Sequence, residues 1–209
     1  TIYGALFGLF PISWIVFSSI LLYRVAVETG KFEIIKDSLA VLSDDRRLQL
    51  LLIGFAFSAF IEGAAGFGSP VAISAAMLAG LGFPAYYAAM LCLLGNTAPV
   101  AFGSIGIPIV TLAQLTGLPA DALSAMTGRL LAPIGVLIPL YIVVMAAGVR
   151  QTVAVWPAVL ACGGVFASVQ LFVSNAVGPE LADILGAMAA IAALVVLTKV
   201  WQPAHVFRL

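Results

Sequence analysis

The chain is 209 residues long, and 63% of its residues are hydrophobic while only 9% are charged. A soluble fold cannot bury that much apolar surface, so the composition excludes a soluble domain. The nine basic and nine acidic residues cancel, which leaves no electrostatic footprint for nucleic acid. The sequence therefore predicts an all-α polytopic membrane protein, a helical bundle in the lipid bilayer with a single membrane domain over residues 1–209.

The apolar runs along the chain predict where helices cross the bilayer. Residues 4–23 form an almost purely apolar run, long enough to cross about 30 Å of hydrocarbon as a helix. In residues 25–43 charges of both signs alternate and apolar residues recur on one helical face, which indicates an amphipathic helix at the membrane surface. Three later runs, at 130–149, 153–174 and 184–200, predict ordinary transmembrane helices.

The middle of the chain, residues 48–120, is apolar but broken. Glu62 is its one charged residue, yet the stretch is too long for one span and is interrupted by many glycines and prolines. If residues 48–82 enter and leave by the same face, eight of the nine basic residues fall on one side, with Arg129 alone on the other. We therefore expect a re-entrant hairpin at 48–82 and a broken transmembrane helix at 86–116.

Each of these two segments contains a glycine-rich loop with small polar residues, from Glu62 to Ser69 in the first and from Gly95 to Ile107 in the second. Non-helical backbone at membrane depth leaves N–H and C=O groups without partners, which is tolerated where the loop lines a substrate site. Each loop is followed by a half-helix whose positive N-terminal end suits a small anion such as a carboxylate. Secondary transporters build sites in this way, although channels and close helix packing use similar breaks. The candidate substrate-binding residues are Gly66, Gly68, Ser69, Asn96, Thr97, Gly103 and Ser104.

Glu62 is the candidate for coupling a proton to transport. A carboxyl buried in the membrane avoids the cost of its charge by holding a proton, so Glu62 could load a proton together with an anion. The alternative is that Glu62 forms hydrogen bonds with loop amides and only fixes the shape of the loop. Arg129 could contact the anion, or it could extend towards the interface without any binding role.

Nothing in the sequence indicates an enzyme, a metal site or a cofactor. Metalloprotease and serine-hydrolase motifs are absent, and the one histidine, His205, lies beyond the last predicted span. Cys92 and Cys162 lack the spacing of a metal or redox site, so we expect them to be buried thiols. Glu180 and Asp183 are assigned to an outer loop around a Gly-Pro turn.

Two runs make the sequence recognisable. FIEGAAGFGSPVAI at residues 60–73, followed by NTAPVAFG at 96–103 and by Ile107-Pro108, closely resembles the bacterial L-lactate permease family. Weaker similarity extends over nearly the whole chain. One departure is Ser69, where a threonine is common in the family; the hydroxyl is kept.

The resemblance implies a secondary active transporter that imports L-lactate, with D-lactate and glycolate as further substrates, by proton symport across the inner membrane. It also implies kinship with the ion-transporter superfamily, whose members carry re-entrant and discontinuous helices in two inverted repeats. Since the chain begins at Thr1 and not at a methionine, we expect a piece of a longer protein, and the resemblance implies that this piece is about half of such a transporter. Its partners would be the remainder of the same chain, a small monocarboxylate and a proton. A sodium-coupled carboxylate carrier is the alternative, because unwound carbonyls beside Asn96 and Thr97 could equally hold Na⁺.

Overall fold

The computed structural model describes residues 43–66, 68–203 and 205–207, together with isolated positions between residues 6 and 34. Within the continuous ranges the chain forms helices and no strand, which confirms the predicted all-α fold. The helices are α1 (Arg46–Ala64), α2 (Ser69–Gly80), α3 (Ala85–Gly95), α4 (Gly103–Thr116), α5 (Ala120–Ala147), α6 (Val149–Val153), α7 (Trp156–Ala176) and α8 (Ala182–Val200), with a 3-10 turn at Val100–Phe102 before α4. The helices predicted at 4–23 and 25–43 fall largely outside the described residues.

Four helices in the described part of the chain are long and apolar enough to cross a membrane, namely α1, α5, α7 and α8. A fifth is reached if α3 and the following helical stretch Val100–Thr116, which are bent by 70° at their junction, count as one broken span. Helix α2 is apolar but has 12 residues, or about 18 Å at 1.5 Å per residue. These helices fit a polytopic membrane protein.

Helix α1 lies at the centre of the bundle. Its side chains Leu50, Ile53 and Phe55 are fully buried. The ring of Phe55 meets that of Phe166 on α7 edge-on, with centroids 5.1 Å apart, which is a favoured aromatic geometry. Because α1 is surrounded by protein, a polar side chain on this helix faces other helices and not lipid.

One end of the bundle is held by a network around Arg47. Its guanidinium is 1% exposed and forms a salt bridge of 2.5 Å with Asp45. It also donates to the backbone carbonyls of Gln151, at 2.7 Å, and His205, at 2.9 Å. The backbone N–H of Phe207 donates to Asp45 at 3.0 Å. The start of α1, helix α6 and the tail after α8 therefore lie at the same end.

The two ends of the predicted hairpin, residues 48–82, also meet there. The guanidinium of Arg46 lies over the ring of Phe83, 5.6 Å from its centroid, and a Cβ built on Gly82 would lie 3.2 Å from Nη2 of Arg46. Helix α1 thus runs away from this end and α2 returns to it, with the connecting loop at the far end of the bundle. The depth of this hairpin in the bilayer stays a prediction.

Two helix boundaries differ from those expected from the sequence. Glu62, which was assigned to the start of a loop, lies in the last turn of α1, because that helix continues to Ala64. Helix α5 begins at Ala120, well before residue 130. Asp121 in its first turn suits the positive end of the helix dipole, and Arg129 is exposed, so these charges interrupt the apolar run without ending the helix.

Candidate functional site

The two glycine-rich loops predicted from the sequence, at residues 62–69 and 95–107, are breaks between helices. These two breaks interlock at the far end of the bundle. Gly66 has a φ of +61°, and a Cβ built on it would lie 1.9 Å from Oγ of Ser104. That hydroxyl donates to the carbonyl of Ala65 at 2.9 Å, and Ser69 donates to the carbonyl of Gly66 at 2.7 Å. Glycine is required at position 66 both for its left-handed backbone and for the close approach of Ser104. The structure thus brings Gly66, Ser69 and Ser104 together.

The second break is a short left-handed turn. Ser104, Ile105 and Gly106 have φ values of 50°, 58° and 73°. This region costs an L-residue roughly 1–2 kcal/mol, and a β-branched side chain such as Ile105 is rarely found there. Gly106 packs against Pro179, because a Cβ on Gly106 would lie 2.9 Å from the carbonyl carbon of Pro179. Backbone strain held in place by its surroundings is frequent at binding sites.

Glu62 lies between these two breaks. Its side chain is 4% exposed, and a Cβ built on Gly103 would lie 2.6 Å from its Oε1. The carboxyl lies beside the side-chain amide of Asn96. Among the described residues, Oε2 of Glu62 and Oδ1 of Asn96 have no hydrogen-bond partner. Glycine at position 103 is what allows the carboxyl to pack against the backbone of the second break.

Three other candidate residues lie at the margins of this arrangement. Gly68 is exposed and precedes α2 with a φ of +84°. Thr97 is exposed in the turn that follows α3. Arg129 is exposed on α5, and its Nε donates to Oδ1 of Asn175 on α7 at 3.0 Å. This contact joins two helices and does not reach Glu62, so the contact of Arg129 with an anion stays a prediction.

The sequence interpretation missed Asp183. It assigned this residue to an outer loop with Glu180, but Asp183 lies in the first turn of α8 and is fully buried. Its Oδ1 accepts a hydrogen bond of 2.8 Å from Nε2 of Gln170, which is also fully buried. A signal was present: Gln170 lies in a charge-free span, and Asp183 opens the next apolar run. A polar residue in each of two consecutive spans suggests a pair.

Further polar features of the described residues lie outside this arrangement. A cavity of about 190 Å³ lies at the other end of α8, lined in part by Asp45, Thr198 and Gln202. Within residues 43–66, 68–203 and 205–207, no group of three or more His, Cys, Asp or Glu side chains could hold a metal ion. Cys92 and Cys162 are buried free thiols, as predicted.

Comparison with known proteins identifies the family. All of the chain, residues 1–209, matches the family model described as L-lactate permease. The chain is 54% identical over 205 residues to the L-lactate permease of Bacillus subtilis (strain 168), covering 98% of this chain and 36% of that protein. It is 50% identical over 201 residues to the glycolate permease GlcA of Escherichia coli (strain K12), covering 96% of this chain and 36% of that protein.

The L-lactate permease of Escherichia coli (strain K12) is 47% identical over 207 residues, covering 99% of this chain and 38% of that protein. The chain thus spans 36–38% of the length of these three relatives. No solved structure matches it. The relatives are permeases and not enzymes, and their similarity extends over nearly the whole of this chain. The chain belongs to the L-lactate permease family.

Proposed function

We propose that the whole protein containing this chain imports L-lactate and related short 2-hydroxy monocarboxylates, such as glycolate, across the bacterial inner membrane by symport with a proton. The relatives named above are L-lactate permeases and a glycolate permease, and both substrates carry a hydroxyl beside a carboxylate. The observation that carries the proposal is a buried carboxyl, Glu62, with one unpartnered oxygen, packed between two interlocked breaks.

The substrate carboxylate would bind at the breaks. Helix α2 begins without a side-chain cap, so the N–H groups of its first turn could meet an anion, except at Pro70, which has no N–H. Ser69 and Ser104 already donate their protons to loop carbonyls, and would have to turn from them to donate to a carboxylate. Asn96 and Thr97 would therefore be the first side-chain donors. Glycines at 66, 68 and 103 would let the substrate approach the backbone closely.

Glu62 would carry the proton. An ionised carboxylate in this nearly closed site lacks a full set of hydrogen-bond donors, so its burial would cost free energy. A bound proton removes that cost. A proton and a monoanion together carry no net charge, so uptake would follow the pH gradient and not the membrane potential. Arg129, at the same end of the bundle as the breaks, would attract the anion.

The distribution of basic residues supports the proposed membrane layout. Arg46 and Arg47 lie at the end where the 48–82 hairpin begins and ends. Arg150 lies beside Gln151, whose carbonyl accepts from Arg47 at this end. Arg129 lies at the other end, on the side of α5 that meets Asn175. Because cytoplasmic loops carry an excess of Lys and Arg, the Arg47 end would face the cytoplasm.

The proposal is tested in proteoliposomes that contain the full-length protein. Lactate accumulation driven by an imposed pH gradient is compared with lactate exchange at equal pH, for the native protein, Glu62→Gln and Glu180→Gln. Glu180 is an exposed acidic residue and serves as the matched control. We expect Glu62→Gln to keep exchange and lose accumulation, because exchange needs no release of the proton. Glu180→Gln should behave like the native protein.

Two results would contradict the proposal. Accumulation by Glu62→Gln at the native level would exclude Glu62 as the proton carrier. Accumulation by the native protein that requires sodium and survives a protonophore would replace the proton by Na⁺ as the coupling ion.

A further inference from the structure

A second buried carboxyl, Asp183, lies inside the bundle with incomplete hydrogen bonding. Its Oδ1 accepts from Nε2 of Gln170 at 2.8 Å. Over the described residues, neither Oδ2 of Asp183 nor Oε1 of Gln170 has a hydrogen-bond partner. Both residues are completely buried, and a buried polar group without a partner is rare and requires an explanation. Both unpartnered atoms are acceptors, so each lacks a hydrogen-bond donor, and a proton bound to Asp183 would remove the cost of an ionised carboxylate there.

Asp183 is a neighbour of Glu62. A Cβ built on Gly63, the residue after Glu62, would lie 3.0 Å from Cβ of Asp183. The two carboxyl groups are close enough to interact electrostatically. Two carboxylates side by side in a poorly solvated site cannot both be ionised without a large cost. The pair therefore favours a state that holds a proton.

The two carboxyls are surrounded in the same way. Each has one side-chain amide next to it, Asn96 for Glu62 and Gln170 for Asp183. Each also has one oxygen without a partner. When a proton is on one carboxyl, the amide beside the other can stabilise the remaining negative charge. A single proton can thus occupy either position.

We propose that Asp183 is a second proton-binding residue of the transporter and exchanges the transported proton with Glu62, with Gln170 as a positioning residue. This inference rests on the proposed function and adds a residue to it. In the transfer, the O–H bond of one carboxylic acid breaks as that of the other forms, and the negative charge moves the opposite way. No other reactant is required.

The position of Asp183 suits a route between solvent and Glu62. Asp183 follows the exposed residues Glu180 and Leu181 at the end of the bundle, whereas Glu62 is packed against Gly103 and Asn96. A proton that enters at this end would reach Asp183 on α8 and pass to Glu62 on α1.

A purely structural role for Asp183 makes a different prediction. An aspartate in the first turn of a helix can stabilise the positive end of the dipole, and a permanently neutral Asp183 could simply pair with Gln170. Asparagine has nearly the same shape and can both accept from and donate to Gln170. With a structural role alone, Asp183→Asn would therefore transport lactate like the native protein.

The experiment compares Asp183→Asn with Asp121→Asn in the full-length protein in proteoliposomes. Asp121 holds the same position in α5 as Asp183 in α8, but it is exposed. A pH difference of one unit should let the native protein concentrate lactate about tenfold. We expect Asp183→Asn to retain exchange at equal pH and to lose this accumulation. Asp121→Asn should change either quantity by less than about twofold.

Glu62→Gln, measured in parallel, separates failure of this inference from failure of the proposed function. Loss of accumulation with retained exchange in both Glu62→Gln and Asp183→Asn supports the exchange of a proton between the two residues. Loss in Glu62→Gln alone overturns the role of Asp183 and leaves the proposed function standing. If the native protein itself does not respond to the pH gradient, the proposed function fails and this inference fails with it.

If Asp183→Asn does not fold, Gln170→Leu provides the test. This variant keeps both carboxyls and removes the amide that stabilises the ionised Asp183. We expect it to lower accumulation by more than about threefold relative to exchange, since hydrogen bonds to charged groups are among the stronger ones. An equal fall in accumulation and exchange would show that Gln170 and Asp183 only support the structure, and would overturn the inference.

Discussion

Replacing Gly66 by alanine tests whether the two breaks interlock. The φ of Gly66 is +61°, a conformation that costs an L-residue about 1–2 kcal/mol. The new Cβ would lie 1.9 Å from Oγ of Ser104, and such overpacking costs a further ~1–3 kcal/mol. We expect Gly66→Ala in the intact protein to lower the free energy of unfolding by about 2–5 kcal/mol.

Two further variants separate the cost of the left-handed backbone from the cost of the steric overlap with Ser104. Gly68 has a φ of +84° but no heavy atom within 4 Å of a Cβ, so Gly68→Ala should lose only about 1–2 kcal/mol. Ser104→Gly removes the hydroxyl that the new methyl group at position 66 would strike, and it relaxes the left-handed backbone at position 104. In the double variant, the loss should therefore be smaller than the sum of the single losses by at least about 1 kcal/mol.

These free energies can be measured by unfolding the purified protein in mixed micelles of increasing SDS fraction. Equal losses for Gly66→Ala and Gly68→Ala would refute the close contact with Ser104. Additivity of Gly66→Ala and Ser104→Gly within about 0.5 kcal/mol would refute it independently, because residues in contact do not behave as separate sites.

The same titration tests Arg47→Met, which leaves Asp45 buried without its counter-ion and should cost about 3–5 kcal/mol; a loss below about 1 kcal/mol would contradict the described network. Burial alone would raise the pKa of Asp45, but hydrogen bonds from Arg47 and Phe207 and the charge of Arg47 lower it below its ordinary value. The contribution of ionised Asp45 to stability is therefore complete above its ordinary pKa, and it is lost as the pH falls through the lowered pKa, below about pH 4. In thermal unfolding, Asp45→Asn should therefore reduce the loss of stability between about pH 5 and pH 3. Gly103→Ala places a Cβ 2.6 Å from Oε1 of Glu62, the end of a flexible side chain. It should displace the carboxyl and lower pH-driven lactate accumulation more than lactate exchange, and unchanged accumulation would argue against the contact.

The sequence predicts the helical class and the position of the breaks because these depend on local composition. Long runs without charge require helices in a bilayer, and a glycine-rich run next to an isolated carboxyl indicates where the backbone departs from a helix. The position of Glu62 beside a break could therefore be predicted from the sequence. Its place in the last turn of α1 was not, because the end of a helix depends on capping contacts such as the hydrogen bond from Ala65 N–H to Ile61 O.

Asp183 shows what local patterns cannot provide. A charged residue near the end of an apolar run is usually solvated, and a polar residue in each of two consecutive spans suggests a pair without showing that the two side chains meet. The pairing depends on how α7 and α8 pack and on the lack of a side chain at Gly63, which leaves room for Asp183 beside α1. The left-handed turn at Ser104 and Ile105 depends in the same way on Gly66 and Pro179, which come from other parts of the chain.

In the proposed mechanism, Glu62 carries a proton with each substrate anion. The most direct measurement records proton and lactate fluxes simultaneously in proteoliposomes containing the full-length protein, with a lactate gradient and no initial pH difference. We expect protons to move with lactate in equal amounts through the native protein, and Glu62→Gln to exchange lactate without moving protons. Proton movement of native size through Glu62→Gln would contradict it.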